Sequence, residues 1–291
     1  SVGVGCNTDG WVHRIWTPWN NGLVGTLPDE IGSLSHLGSL ALQFGKIEGS
    51  IPVSIGDLSD LFELGLSNNQ ITGAVPASLA GMRNLQILAL DDNNLTGKIF
   101  DKLSNLKELT YIYLEDNMFD DGIGDLDVMK LPNLMHLDAS SNLLTGTLSP
   151  DLLSHPTLTV LDLNTNNIQS KIPTDIGIQE TLNFLALHMN DLSGVIPPEI
   201  SNLEGLDYLD LSHNMLEGEI PDIMGTLKEL EYLFLGANGF NSGPIPDFLR
   251  DMTTLKELSL KRTNRTGAIP EWIGELDQMY LLDLDGNSLT G

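Results

Sequence analysis

Leucines and isoleucines recur along this chain in one short pattern. The segment LGLSNNQITGAVP (Leu64 to Pro76) returns as LALDDNNLTGKIF, LALHMNDLSGVIP and LDLSHNMLEGEIP. The shared template is L-x-L-x-x-N-x-L-x-G-x-I-P, followed by a polar stretch and an L-x-x-L that leads into the next copy. Indexed on the asparagine, the register points are Asn21, Gly45, Asn69, Asn93, Asn117, Asn142, Asn166, Asn190, Asn214, Asn238, Thr263 and Asn287. The steps are 24 residues, with 25 between Asn117 and Asn142 and between Asn238 and Thr263. Self-similarity at such a period is the mark of a stacked array.

The periods inside one copy predict its elements. L-x-L alternates and reads as a short strand with leucines inward. The asparagine that follows suits a buried turn, because its short amide can bond backbone groups. Glycine permits the next turn, and Ile-Pro begins the return, where proline offers no ladder donor. One unit cannot bury its leucines alone, whereas stacked units can. With strands about 4.8 Å apart, twelve copies predict a parallel concave sheet roughly 50 Å along its arc.

The G-x-I-P element resembles the plant-type leucine-rich repeat of receptor-kinase ectodomains, receptor-like proteins and polygalacturonase inhibitors, and similar arrays occur in algae. The resemblance covers nearly the whole chain. It implies an α/β-type repeat solenoid, a right-handed leucine-rich-repeat superhelix (horseshoe) of about twelve 24-residue repeats. Gly3-Val4-Gly5-Cys6 followed by Asp9-Gly10-Trp11-Val12 resembles that family's N-terminal cap. In the family that cysteine pairs with one a few residues upstream, which here would lie before Ser1. Residues 1–20 are therefore expected to be a partial cap and residues 21–291 an array without a C-terminal cap, the whole a piece of something longer.

Composition narrows the partners. Against 14 Lys and Arg stand 40 Asp and Glu, a formal charge of −26. Such a surface repels phosphate backbones and anionic headgroups, so no nucleic-acid partner is expected. No apolar run approaches the roughly 20 residues of a membrane span. Cys6 is the only cysteine, which excludes an internal disulfide framework.

Ligand contacts are expected at outward positions six, four, two and one before each register point. The candidates are Tyr111, Tyr113, Glu115, Asp116, His136, Asp138, Asp162, Phe184, His188, Tyr208, Asp210, Tyr232 and Phe234. Aromatic rings there can anchor a partner. The six-before column (Tyr111, Phe184, Tyr208, Tyr232) is open to a half-buried packing role, so Tyr113 and Phe234 are the stronger anchors. Carboxylates recur on neighbouring strands: Asp91 beside Glu115, Asp92 beside Asp116, Asp138 beside Asp162. Like charges opposite one another destabilise a sheet. Either the face is simply solvated, or Ca²⁺ at Asp91, Asp92, Glu115 and Asp116, or a basic peptide, offsets them. Otherwise no cofactor is expected.

The template also breaks at Phe100, Gly124 and Ser149, and most of all in the loop 120–127. Such departures mark either a functional site or drift, and the binding surface is accordingly centred on repeats three to six. Lys261, Arg262 and Arg265 read as one solvated basic patch, and His188 and His213 as surface histidines. Asn94-Leu95-Thr96 and Asn264-Arg265-Thr266 are glycosylation sequons one residue past the register point. With the cap, they favour the secretory pathway and an extracellular or cell-surface location.

No phosphate loop, H-E-x-x-H or paired C-x-x-C is present. His136 and Ser140 share a face, but on a strand they would stand about 13 Å apart, too far for a nucleophile and its base. The expected function is non-catalytic recognition of a peptide, protein or glycan on the concave face. The alternatives are a secreted inhibitor of a cell-wall-degrading enzyme, or a matrix protein associating through Ca²⁺ or its array ends.

Overall fold

The structure, a computed structural model, describes residues 3–17 and 22–290. Its contacts divide the chain into two units, Ser1–Thr145 and Gly146–Gly291.

The first unit opens on an antiparallel hairpin of Gly3–Cys6 and Val12–Trp16, where Cys6 is an exposed free thiol. The second hairpin strand pairs in parallel with Ser39–Ala41. Glu63–Gly65, Ile87–Ala89, Tyr111–Tyr113 and His136–Asp138 follow, each beside the last. In the second unit, Phe184–Ala186 joins Val160–Asp162, followed by Tyr208–Asp210, Tyr232–Phe234, Glu257–Ser259 and Leu281–Asp283. Register never slips between the parallel strands from Ser39–Ala41 to His136–Asp138 or from Val160–Asp162 to Leu281–Asp283, so equivalent positions of successive repeats form columns: Phe184, Tyr208, Tyr232 and Glu257 make one, and Ala186, Asp210, Phe234 and Ser259 another. Each of these parallel strands is three residues long and covers only the positions six to four before the register point.

Leucines fill the interior. Leu64, Leu88, Ile112 and Leu137 in the first unit, and Leu161, Leu185, Leu209 and Leu233 in the second, are fully buried. The register asparagines close each strand. Asn117 is 8% exposed. Its Oδ1 accepts the Leu95 backbone N–H at 2.9 Å, and its Nδ2 donates to the carbonyls of Leu90 (2.9 Å), Leu114 (3.2 Å) and Glu115 (3.2 Å). Asn69, Asn93, Asn190, Asn214 and Asn238 each reach back one repeat in the same way. An amide with one acceptor and two donors answers groups that a dry interior would otherwise leave unpaired.

To aim that amide inward the chain turns through a conformation that disfavours side chains. The residue before the register point is left-handed at Phe44, Asn68, Asp92, Asp116 and Ser141, and at Thr165, Met189, His213, Ala237 and Arg262, with φ between 49° and 56°. Three of these, Asn68, Asp92 and Asp116, are residue types that enter this region readily; Phe44, Thr165 and Met189 hold a geometry such residues rarely adopt.

Proline decides the return. After Pro52, Pro76, Pro173, Pro197, Pro221, Pro246 and Pro270 the chain forms a 3₁₀ turn of five residues. At two of the three places where proline is missing a short α-helix forms, Phe100–Leu103 and Pro150–Leu153 with Ser149 as its cap, and at Gly124 the chain makes the three-residue 3₁₀ turns Ile123–Asp125 and Val128–Lys130. The loop 120–127 also has a structural explanation. Asp121, 1% exposed, accepts the backbone N–H groups of Ile99 (2.9 Å) and Phe100 (3.1 Å), closing the turn that lacks its proline.

Arg265 overturns the solvated basic patch. It occupies the core-leucine position of its repeat and is 3% exposed. Its guanidinium donates to the carbonyls of Thr263 (2.9 Å), Pro244 (3.3 Å) and Asn241, knitting together the 25-residue repeat whose register point is Thr263.

Replacing Asn117 with alanine leaves the buried Leu95 N–H without its acceptor, while the carbonyls of Leu90, Leu114 and Glu115 keep Asn93 Nδ2, Asn142 Nδ2 and the Asp92 N–H as donors. At about 1–3 kcal/mol for a buried group left unsatisfied, Asn117→Ala is expected to cost the first unit about 1–3 kcal/mol in urea unfolding, while Asn84→Ala, at an exposed site, stays near wild type.

Candidate functional site

The candidate residues fall into two clusters on the strand face, one in each unit.

In the first, the register sets Tyr113 between Ala89 and Asp138, and Tyr111 between Ile87 and His136. The rings of Tyr111 and Tyr113 lie parallel, 6.5 Å apart, and the His136 ring sits 4.6 Å from that of Tyr113. All three are half-buried, so Tyr113 is no more exposed than the six-before column. Burial pulls the His136 pKa below the usual imidazole value, against the pull of Asp138.

The carboxylates of this cluster are answered from within. Asp91 accepts from the Ser67 hydroxyl and from Asn68 Nδ2 at 3.4 Å. Asp138 Oδ1 accepts the Ser140 backbone N–H at 3.0 Å and the Ser140 hydroxyl at 2.7 Å. Ser140 thus gives its proton to Asp138, not to a histidine. Glu115 is the exception: its Oε2 is buried without a hydrogen-bond partner. Burial, with the charges of Asp138 and Asp91 behind it, pushes the Glu115 pKa up to about 8. Near neutral pH this carboxyl is mostly protonated, which relieves the repulsion without any ion. Asp92 and Asp116 are exposed on their left-handed turns. Among the described residues no group of three or more His, Cys, Asp or Glu is arranged to hold a metal ion, Asp91, Asp92, Glu115 and Asp116 included.

In the second unit three rings gather around Tyr208. Phe184 stacks on it at 4.3 Å with 11° between planes, and Tyr232 and Phe234 approach at 5.8 Å and 5.7 Å. Burial, and then Asp210, Asp162 and Glu257, push the Tyr208 pKa up to about 12. Asp162 and Asp210 each accept the backbone N–H two residues on, at 3.0 Å and 2.9 Å. His188 is half-buried, its Nδ1 lying 3.1 Å from Asp210 Oδ2. It is no plain surface histidine.

Beside these rings lies a cavity of about 440 Å³. Phe234 and Asp210 line one side, and Lys261, Arg262 and Asp283 the other. It exists because Gly236 and Ala237 fill positions where the flanking repeats carry Ser212-His213 and Lys261-Arg262. Lys261 Nζ is 3.3 Å from Asp285 and 4.0 Å from Asp283. Among the described residues Arg262 makes no ion pair. The cavity combines an aromatic wall with the two cations that sequence reading assigns to a solvated patch. The signal was available: Gly236-Ala237 beside Lys261-Arg262 is legible once the repeats are aligned.

A leucine-rich-repeat region pattern matches residues 140–289, and leucine-rich-repeat patterns match 35–95 and 64–119. The chain belongs to the leucine-rich-repeat proteins of the plant type. No curated protein matches its sequence. Among solved structures, the leucine-rich-repeat chain is similar to the plant peptide hormone receptor RGFR1 in complex with RGF2, at 33% identity and a TM-score of 0.84, over 93% of this chain and 47% of that one. It is similar to the Arabidopsis receptor kinase HAESA in complex with the peptide hormone IDA and the co-receptor SERK1, at 34% and 0.86, over 95% and 46%. A TDR receptor matches at 31% and 0.88, over 96% and 48%. The chain spans about half the length of these receptors.

Glu115 ties stability to pH. Its folded pKa of about 8 lies above the ordinary 4.5, so the native state holds a proton that the unfolded chain releases. Stability should therefore fall as pH rises from 4.5 to about 8 and level off above. Asp91 and Asp121, raised by burial, add slope of the same sign. Glu115→Gln should flatten the urea midpoint across that window; an unchanged slope would show that Glu115 is ionised throughout.

Proposed function

We propose that this leucine-rich-repeat chain is an extracellular, non-catalytic recognition domain whose strand face binds a peptide. The observation that carries the reading is the cavity beside Tyr208 and Phe234. It sets the Phe234 ring beside Lys261 and Arg262 on a protein with a net charge of −26. A site of this kind favours a ligand that sets an acidic group beside an apolar one, because the field of the remaining surface repels acids elsewhere.

Three further observations support it. The solved relatives include receptors in complex with peptide hormones, RGF2 for RGFR1 and IDA for HAESA. The stacked rings of Phe184 and Tyr208 cover one another's faces. They offer edges to a peptide more readily than platforms to a sugar. Third, the side chains of His136, Asp138 and Ser140 are engaged in ring packing and in an Asp–Ser bond, which leaves no poised nucleophile. The relatives and the two sequons favour an extracellular location. A soluble inhibitor of a basic enzyme would want a uniformly acidic strand face, and the cavity instead sets Lys261 and Arg262 beside Asp210 and Asp283.

The test is selection of a linear peptide library on the purified chain, followed by calorimetry with the best peptide. The selected sequences should pair Asp or Glu with an apolar neighbour. Phe234→Ala and Arg262→Ala should each weaken binding by roughly tenfold, about 1.4 kcal/mol, with an unchanged circular dichroism spectrum. Failure to select any peptide, or full affinity in both variants, would end the reading.

A further inference from the structure

The two sequons are left unused by the recognition surface, and the repeat itself explains how they arise. The template places Ser or Thr three residues after the register point: Thr72, Thr96, Thr145, Ser193, Thr266 and Thr290. Any asparagine one residue after that point therefore completes an N-x-[ST] triplet. Asn94 and Asn264 do so, whereas Asn167, followed by Ile168 and Gln169, does not.

The fold presents the two triplets alike. In each, the middle residue turns into the core and its neighbours turn out. Leu95 is fully buried between exposed Asn94 and half-exposed Thr96; Arg265, 3% exposed, lies between exposed Asn264 and half-exposed Thr266. The middle residue is pinned by its backbone N–H, which donates to Asn117 Oδ1 at 2.9 Å in one case and to Asn287 Oδ1 at 2.9 Å in the other. Each asparagine thus stands past the end of the strand row, away from the outward strand positions where ligand contacts lie. Its neighbours in the equivalent place are exposed Gln70 and Met118 around Asn94, and exposed Gly239 and Ser288 around Asn264. None of them is a bulky charged side chain that would crowd a sugar. Asn264 Nδ2 donates to the Phe240 carbonyl at 2.9 Å. An N-glycosidic bond replaces one of its two amide hydrogens, and the other can keep that contact.

We propose that Asn94 and Asn264 both carry N-linked glycans, and that these cover the strand-exit edge of each unit while leaving the strand face open. This rests on the extracellular reading above. Glycans at these positions would hydrate an edge that otherwise exposes Met118 and Leu143, 40% and 49% accessible, and would make that edge a poor protein interface.

The experiment uses the full native protein, immunopurified from the cells that produce it and from their surroundings, with intact mass and peptide mapping before and after peptide-N-glycosidase F. The expected result is mass in excess of the polypeptide, removed by the enzyme, with Asn94 and Asn264 converted to aspartate. Thr96→Val and Thr266→Val, which keep the branched shape and drop the hydroxyl, should each lose one glycan. The selected peptide should bind the deglycosylated protein as tightly as the glycosylated one. Extracellular protein with either asparagine unmodified overturns the proposal and leaves the recognition reading standing. Protein found only inside the cytosol overturns both. Peptide affinity altered several-fold by deglycosylation would overturn the claim that the glycans stand clear of the face.

Discussion

One side-chain amide, closing on four backbone groups, underlies the rest of this structure. Among the described residues, register asparagines such as Asn69, Asn117 and Asn214 answer a carbonyl of their own strand exit and accept an N–H from the repeat before, so buried amides close the leucine interior. The exceptions show the constraint at work. At Thr263 a hydroxyl answers only the Leu260 carbonyl, at 2.6 Å. Two residues on, the core position becomes Arg265, whose guanidinium donates to the carbonyls of Thr263, Pro244 and Asn241. A charged residue in a leucine slot is tolerable there because several carbonyls accept its hydrogens. Asp121 performs a related substitution at the other long repeat, accepting the N–H groups of Ile99 and of Phe100, the second of which a proline would have lacked.

The repeat fold was legible in the sequence because it is periodic. The strand leucines, the buried asparagines and the proline-initiated returns lie where the template puts them. The left-handed residue before each asparagine was not legible, since nothing in Phe44, Met189 or Ala237 announces a positive φ. Tertiary demand overrides local preference there. The irregular loop 120–127 invited a functional reading, and the structure gives it a packing role through Asp121.

The face was legible in part. The strands lie where the alternation puts them, yet the chemistry of the positions between their leucines depends on second partners that spacing does not disclose. The Asp–x–Ser pattern at Asp138 and the burial of Glu115 convert an apparent surplus of charge into local hydrogen bonds and a held proton. The cavity beside Phe234 was missed because it is made by side chains that are absent. Gly236 and Ala237 attract no notice in a list of candidate ligating or aromatic residues; their effect appears only when the His213 and Arg262 rows stand on either side.

The reach of the asparagine bonds has a consequence for how such a surface can change over generations. Each amide touches its own repeat and the one before it, so whatever decorates a given row of the face is mechanically private to that row. A duplicated copy brings its own closure with it, and a row can trade tyrosine for glycine without consulting rows farther along. Specificity in this architecture is therefore edited line by line, with the leucine and asparagine grammar held constant and the outward letters free to drift until some neighbouring pair, such as Gly236-Ala237 beside Lys261-Arg262, spells a usable pocket.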